Sequence, residues 1–248
     1  MFSNPRTPAA LPRSRRALLR TAVAGTAAAV GAGLALGSAA PASAASRDAE
    51  STGPVTTPEQ ALRRLAAGNH RWRTRQQEHP HESGALRRRL VQGQHPFAVV
   101  LGCVDSRVSP ELVFDQGLGD LLTVRSAGEV LDEAVLGSVA YGVLELRVPL
   151  VLVLAHQSCG AVAAAVHADE TGEPLPAHIQ YLADQIRPSI ERGQHGKARV
   201  DATINAHARG VRGRLAAEPD LAGRVAAGEL AVVAARYDLR DQQVRVLS

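Results

Sequence analysis

Cysteine is almost missing from this chain: two residues in 248 allow one disulfide and exclude a disulfide-framed scaffold. Aromatic side chains are scarce as well, at 3%, so Trp72 is one of very few large anchors. No internal repeat is visible, which excludes a solenoid or propeller. Residues 1 to 44 contain no acidic residue, and residues 21 to 40 carry no charge of either sign. The remaining composition, 45% hydrophobic and 21% charged, excludes extended disorder and suits a globular chain.

The first 44 residues run in the order of an export signal: the basic "SRRALLR", an apolar run of small residues, then Ala42-Ser43-Ala44 as a cleavage pattern. Arg15 and Arg16, with Ser14 before them and Leu18 and Leu19 after, resemble the twin-arginine export signal. That resemblance implies a protein folded in the cytoplasm and then exported, to the periplasm or beyond. The competing reading is an uncleaved membrane helix over residues 21 to 40. Its richness in Ala and Gly and its poverty in Leu and Ile favour a cleaved signal, with no stable membrane span afterwards. The formal charge of +4 invites a nucleic-acid reading, but five arginines lie in the signal, and without them the charge is −1. No nucleic-acid partner is expected, and Arg87 to Arg89 read as a solvated helix face.

Residues 45–57, small, polar and proline-punctuated, read as a linker, and residues 58–248 as a single domain. Thr57-Pro58-Glu59 starts a helix through "QALRRLAAGNHRWRTRQQ", and "SGALRRRLVQG" is a second, together forming an N-terminal helical arm. Buried strands are predicted at 97–103, 121–127 and 149–156, a further strand at 230–239, and an edge strand in "QVRVLS". Helical stretches at 109–115, 131–146 and 159–170 alternate with them, and "IQYLADQIRPSIE" and 200–219 add more. This alternation predicts an α/β fold: a mostly parallel central sheet, four parallel strands plus a C-terminal edge strand, flanked by helices.

Ligands of such folds bind at the carboxyl ends of the parallel strands. Cys103 and Asp105 leave the first predicted strand, and His156 and Cys159 leave the third, so two sequence-distant motifs converge on one rim. Two thiols, an imidazole and a carboxylate suit zinc. By spacing alone, zinc binding, a Cys103–Cys159 disulfide and two ordinary buried thiols all stay open. Asp105 and Arg107, two positions apart, read equally as a surface ion pair.

"CVDSRVSPE", then "GDLLTVRSAGEV", then "HQSCGAV" is similar in order, spacing and strand placement to the β-class carbonic anhydrases. "LAAGNHRW" and "VVAARYDLRDQQVRVL" extend the resemblance over roughly residues 58–248. It implies one zinc ion per subunit, held by Cys103, His156 and Cys159, and reversible hydration of carbon dioxide to bicarbonate by attack of zinc-bound hydroxide. Asp105 is then a fourth ligand or, in the plant-type open-site subgroup, the partner of Arg107, the two forming the catalytic pair. Gln94, nine positions before Cys103, stands where plant-type members carry a substrate-orienting glutamine. Val100 replaces the tryptophan with which some bacterial members line a site for inhibitory bicarbonate, so that regulation is expected to be weak or absent. The resemblance further implies a homodimer or a dimer of dimers, with Trp72 at the contact or packed in its own subunit.

The family usually reads Arg-Asn-Ala-Gly-Asn where this chain has Arg125-Ser126-Ala127-Gly128-Glu129, which puts a carboxyl near the site. Two thiolates cancel the formal charge of zinc, so activity is expected to rise on the alkaline side of neutral. The alternatives are a carbonyl sulfide or carbon disulfide hydrolase, or an inactive zinc-binding protein with Asp105 locked on the metal. Gly160 would admit a close backbone approach or simply open a helix. His79 and His81 read as a solvated turn, and His95 faces cleft or solvent.

Overall fold

The computed structural model describes residues 54–248; the export-signal reading and residues 45–53 of the linker lie outside the described residues. Strand β1, Ala98–Cys103, is buried along its whole length, as is β3, Leu150–His156. Both are apolar on two faces, the pattern of central strands covered on each side. Between them in sequence lies β2, Leu121–Ser126, which pairs parallel to β1, and after them β4, Ala231–Tyr237, which pairs parallel to β3. A short β5, Val244–Val246, returns antiparallel to β4 and closes the order β2-β1-β3-β4-β5. The expected fold class is therefore the observed one. The prediction of a buried β2 is corrected: it is an edge strand, only half-buried, with Arg125 exposed.

Each face of the sheet carries its own core. Val99, Leu101 and Cys103 point to one, packed with Val151, Val153 and Ile204; Ala98 and Val100 point to the other, with Leu65, Leu152 and Phe114. This is the period-2 alternation of a strand, and each such side chain contributes about 1.5–3 kcal/mol by its burial. On the first face lie α4, Glu133–Leu144, capped by Asp132, then α5, Gly160–Thr171, α6, Ala177–Ile186, and the long α7, Gly196–Ala217. A further helix, α8, Pro219–Ala226, was not expected. The helical stretch expected over 200–219 stops at Ala217, and Pro219 is the first residue of the next helix, where its missing N–H costs nothing.

The opposite face is covered by α1, Pro58–Thr74, whose capping box joins Thr57 and Gln60 reciprocally. It ends three residues before the predicted limit, at a left-handed Arg75. A Cβ on Gly68 would lie 1.7 Å from the Phe114 carbonyl oxygen, so this helix seats only because position 68 has no side chain. Helix α2, Gly84–Leu90, buries nothing, and its Arg87, Arg88 and Arg89 are exposed. The short α3, Pro110–Val113, leads from β1 toward β2. Trp72 packs within its own chain, its Nε1 donating to the Tyr237 hydroxyl at 3.0 Å. No helix among the described residues is long and apolar enough to cross a membrane.

Candidate metal centre

In this strand order the chain leaves β1 toward β2 on one side and returns to β3 on the other. The carboxyl ends of β1 and β3 therefore flank the switch point, where α/β sheets open a crevice. Cys103 ends β1 and His156 ends β3; Gly102 already faces Leu154 across the ladder, so the two leave the sheet side by side. Cys159 follows after a left-handed Ser158 and caps α5.

The three donors are buried, and their ligating atoms lie within 4.8 Å of one another. The two sulfurs are 3.9 Å apart and form no disulfide. That is close to the ~3.8 Å edge of a tetrahedron with zinc–sulfur bonds of about 2.3 Å. His156 is fully buried, and its Nδ1 lies 2.9 Å from the Gln157 carbonyl oxygen. A carbonyl only accepts, so Nδ1 carries the proton and Nε2 offers a lone pair. Nε2 has no hydrogen-bond partner. A buried, partnerless acceptor beside two soft sulfurs is what a zinc site looks like from the protein's side, and the donor set fits that metal. The hydrogen bond between the thiols holds the Cys103 pKa down and pushes the Cys159 pKa up.

Asp105 faces this triad, with Oδ2 3.9 Å from His156 Nε2. Arg107 grips both its oxygens, Nε to Oδ1 at 2.9 Å and Nη2 to Oδ2 at 2.7 Å, and adds its backbone N–H at 3.0 Å. The guanidinium holds the Asp105 carboxyl down at about 2. Nη2 of Arg107 also reaches the Ser158 carbonyl at 3.3 Å, tying the β1 exit to the β3 exit.

Several participants were not foreseen. Arg125 donates to three backbone carbonyls of the β1 exit, Cys103 at 2.8 Å, Asp105 at 2.7 Å and Val108 at 3.2 Å. No sequence signal marks it; the strand register pairs Arg125 with Gly102 at the end of β1. The turn Ala127–Glu129 donates the Gly128 N–H to Cys103 Sγ at 3.3 Å. Glu129 is 2% exposed, and its Oε1 has no partner. Burial and the nearby Cys103 push its carboxyl well above the ordinary range, so the departure from the family pattern is an enclosed acid.

Other candidates fall elsewhere. Gln94 is exposed and precedes β1, at the far end of a strand ~16 Å long, so the structure does not bring it to the triad of its own chain. Val100 is fully buried on the face opposite Cys103. A Cβ on Gly160 would meet nothing within 4 Å, so no close contact within the chain requires a glycine at the start of α5. His95 is exposed. His79 is solvated, but His81 is not: its Nδ1 lies 2.7 Å from Asp120 Oδ2, an acid that is itself buried.

Fold and donor set together define an α/β protein with a candidate metal centre at the switch point of a parallel sheet. The carbonic anhydrase family model matches residues 98–244. Carbonic anhydrase 2 of Mycobacterium tuberculosis is 42% identical over 190 residues, spanning 76% of this chain and 92% of that protein. Carbonic anhydrase of Mycolicibacterium smegmatis is 42% identical over 197 residues, spanning 79% and 96%. Among solved structures, a tetrameric β-carbonic anhydrase of Sordaria macrospora superposes with TM-score 0.62 at 18% identity, covering 75% of this chain and 96% of that one. The β-carbonic anhydrase CafA of Aspergillus fumigatus gives 0.61 at 24%, covering 73% and 88%. The chain belongs to the carbonic anhydrase family and has the fold of its β class.

Proposed function

We propose that this protein is a zinc-dependent carbonic anhydrase, catalysing the reversible hydration of carbon dioxide to bicarbonate and a proton. The observation that carries this is the buried Cys103–His156–Cys159 triad facing an Asp105 that Arg107 holds by both oxygens. Bound by the triad, zinc supplies Lewis acidity that turns water into a nucleophile near neutral pH. The chain's own residues do the rest. Arg107 keeps the Asp105 carboxylate off the metal, which supports the open-site, plant-type reading. Asp105 Oδ2, ionised and 3.9 Å from His156 Nε2, is placed to accept a hydrogen bond from water and so orient it. Arg125 fixes the loop on which both stand.

The test is carbon dioxide hydration by the purified protein, before and after chelation. Hydration is expected to vanish with the metal and return with zinc; a zinc-loaded protein without activity from pH 7 to 9 would sink the proposal.

Two further readings belong with it. We infer a homodimer or dimer of dimers, supported by the family and by the half-buried edge strand β2; Gln94 can then serve a substrate only across a subunit interface. Light scattering that returns a monomer removes this. We also infer export by the twin-arginine route with loss of residues 1–44, supported by the sequence alone; a cytoplasmic protein retaining Arg15 and Arg16 removes that.

A further inference from the structure

His207 stands on α7, 79 positions from Gly128, and is 3% exposed. Its Nε2 lies 2.7 Å from the Gly128 carbonyl oxygen. Because that oxygen only accepts, Nε2 carries the ring's proton, and Nδ1, 3.4 Å from Ser189 Oγ, accepts from the serine hydroxyl. Burial lowers the imidazole below its ordinary pKa; the bond to Gly128 opposes this and Arg214 adds to it. The ring is therefore neutral at pH 7, with its single proton committed to Gly128.

Gly128 is the residue whose own N–H meets Cys103 Sγ, at 3.3 Å. It is left-handed, with φ +67, and a Cβ there would press on Ile186 and Ala161 at 3.0 and 3.2 Å. Glu129, next in the chain, is left-handed too, at φ 53, although it is not glycine. Two successive residues in this region persist only when their surroundings hold them. Ser126 Oγ donates to the Val130 carbonyl and ties the ends of the turn. At its middle, His207 bonds the Gly128 carbonyl while Cys103 Sγ accepts from the Gly128 N–H.

We propose that His207 is a positioning residue for the metal centre: by holding the Gly128 carbonyl it aims the Gly128 N–H at Cys103 Sγ, and so limits the charge that this sulfur gives to the metal. An N–H directed at a thiolate draws electron density from it, and partners of this kind tune the metal through its ligands. The inference rests on the zinc reading of the triad. His207 touches neither substrate nor metal; it acts through one backbone residue.

The test uses the whole protein loaded with zinc for affinity and activity, and with cobalt for its sulfur-to-metal charge-transfer band. His207→Leu keeps the volume and removes the donor. It is expected to move the band to lower energy and to weaken zinc affinity or activity by roughly ten- to a hundredfold. His207→Gln, whose amide nitrogen can stand where Nε2 stood, is expected to recover the wild-type band and most of the loss. An unmoved band in His207→Leu, or a shifted band that His207→Gln leaves shifted, overturns the proposal. Should His207→Leu fail to fold, the wild-type protein decides. Long-range proton–nitrogen correlations should show the Nε2–H tautomer, and the cadmium-loaded protein a coupling between cadmium and the Gly128 amide proton. The other tautomer, or no coupling, overturns it. A protein that binds no metal removes the inference together with the reading beneath it, whereas a metal-loaded protein with unchanged variants removes the inference alone.

Discussion

His156 donates its Nδ1 proton to the Gln157 carbonyl, and that one bond decides which nitrogen is left for a metal. Arg107 makes a similar decision for Asp105 by occupying both oxygens of the carboxylate. Arg107→Ala should release Asp105 toward the triad and lower kcat/KM for carbon dioxide on the order of ten- to a hundredfold. Zinc content should stay unchanged, because no donor has been removed. Arg107→Lys should recover little, since an ammonium cannot fork onto two oxygens. Stopped-flow hydration with metal analysis on the same samples checks this; full activity in the alanine variant would make the pair a mere surface contact. The five donor and gating positions, Cys103, His156, Cys159, Asp105 and Arg107, were legible in sequence through the family resemblance, and each stands at or beyond a strand end. Arg125 and His207 were not, because they act on backbone carbonyls that sequence places far from them, and nothing in "TINAHARGV" marks one histidine as buried.

At the scale of elements, the N-terminal arm is docked by a buried acid. Asp115 accepts from Arg71 Nε at 2.5 Å and from the backbone N–H groups of Glu78 at 3.0 Å and His79 at 3.2 Å. Burial alone would raise its pKa, but these donors more than offset it, and the carboxyl titrates below its ordinary value. Asp115 therefore stabilises the fold fully above the unfolded carboxylate pKa of about 3.9. That contribution is lost as pH falls through the lower, folded value. Asp115→Ala should cost about 2 kcal/mol at pH 7, by leaving these donors unpaired. Urea unfolding at pH 7 and again in acid checks the sign: the gap between wild type and variant should shrink in acid, and a gap that widens contradicts it. Sequence periodicity placed every strand but could not rank their burial. An apolar run reads alike in the middle of a sheet and at its edge, and only the order β2-β1-β3-β4-β5 leaves β2 half-covered. Pro219, expected within the helical stretch 200–219, begins a separate helix in the fold.

At the scale of the whole molecule, the centre exists only when the sheet does. Cys103 and Cys159 are 56 positions apart and meet because β1 and β3 are neighbours, with Val99, Leu101, Val151 and Val153 burying the face that Cys103 shares. A metal that bridges them is coupled to folding, since the unfolded chain offers no such site. The export proposed above, in a folded state, would carry the thiols across already occupied. The central claim is a zinc ion on two sulfurs and one imidazole nitrogen, and X-ray absorption at the zinc edge of the purified protein addresses it directly. The account predicts one zinc per chain with two sulfurs at about 2.3 Å and one imidazole nitrogen at about 2.0–2.1 Å. A Cys103–Cys159 disulfide without zinc, or a zinc shell lacking sulfur, would contradict it.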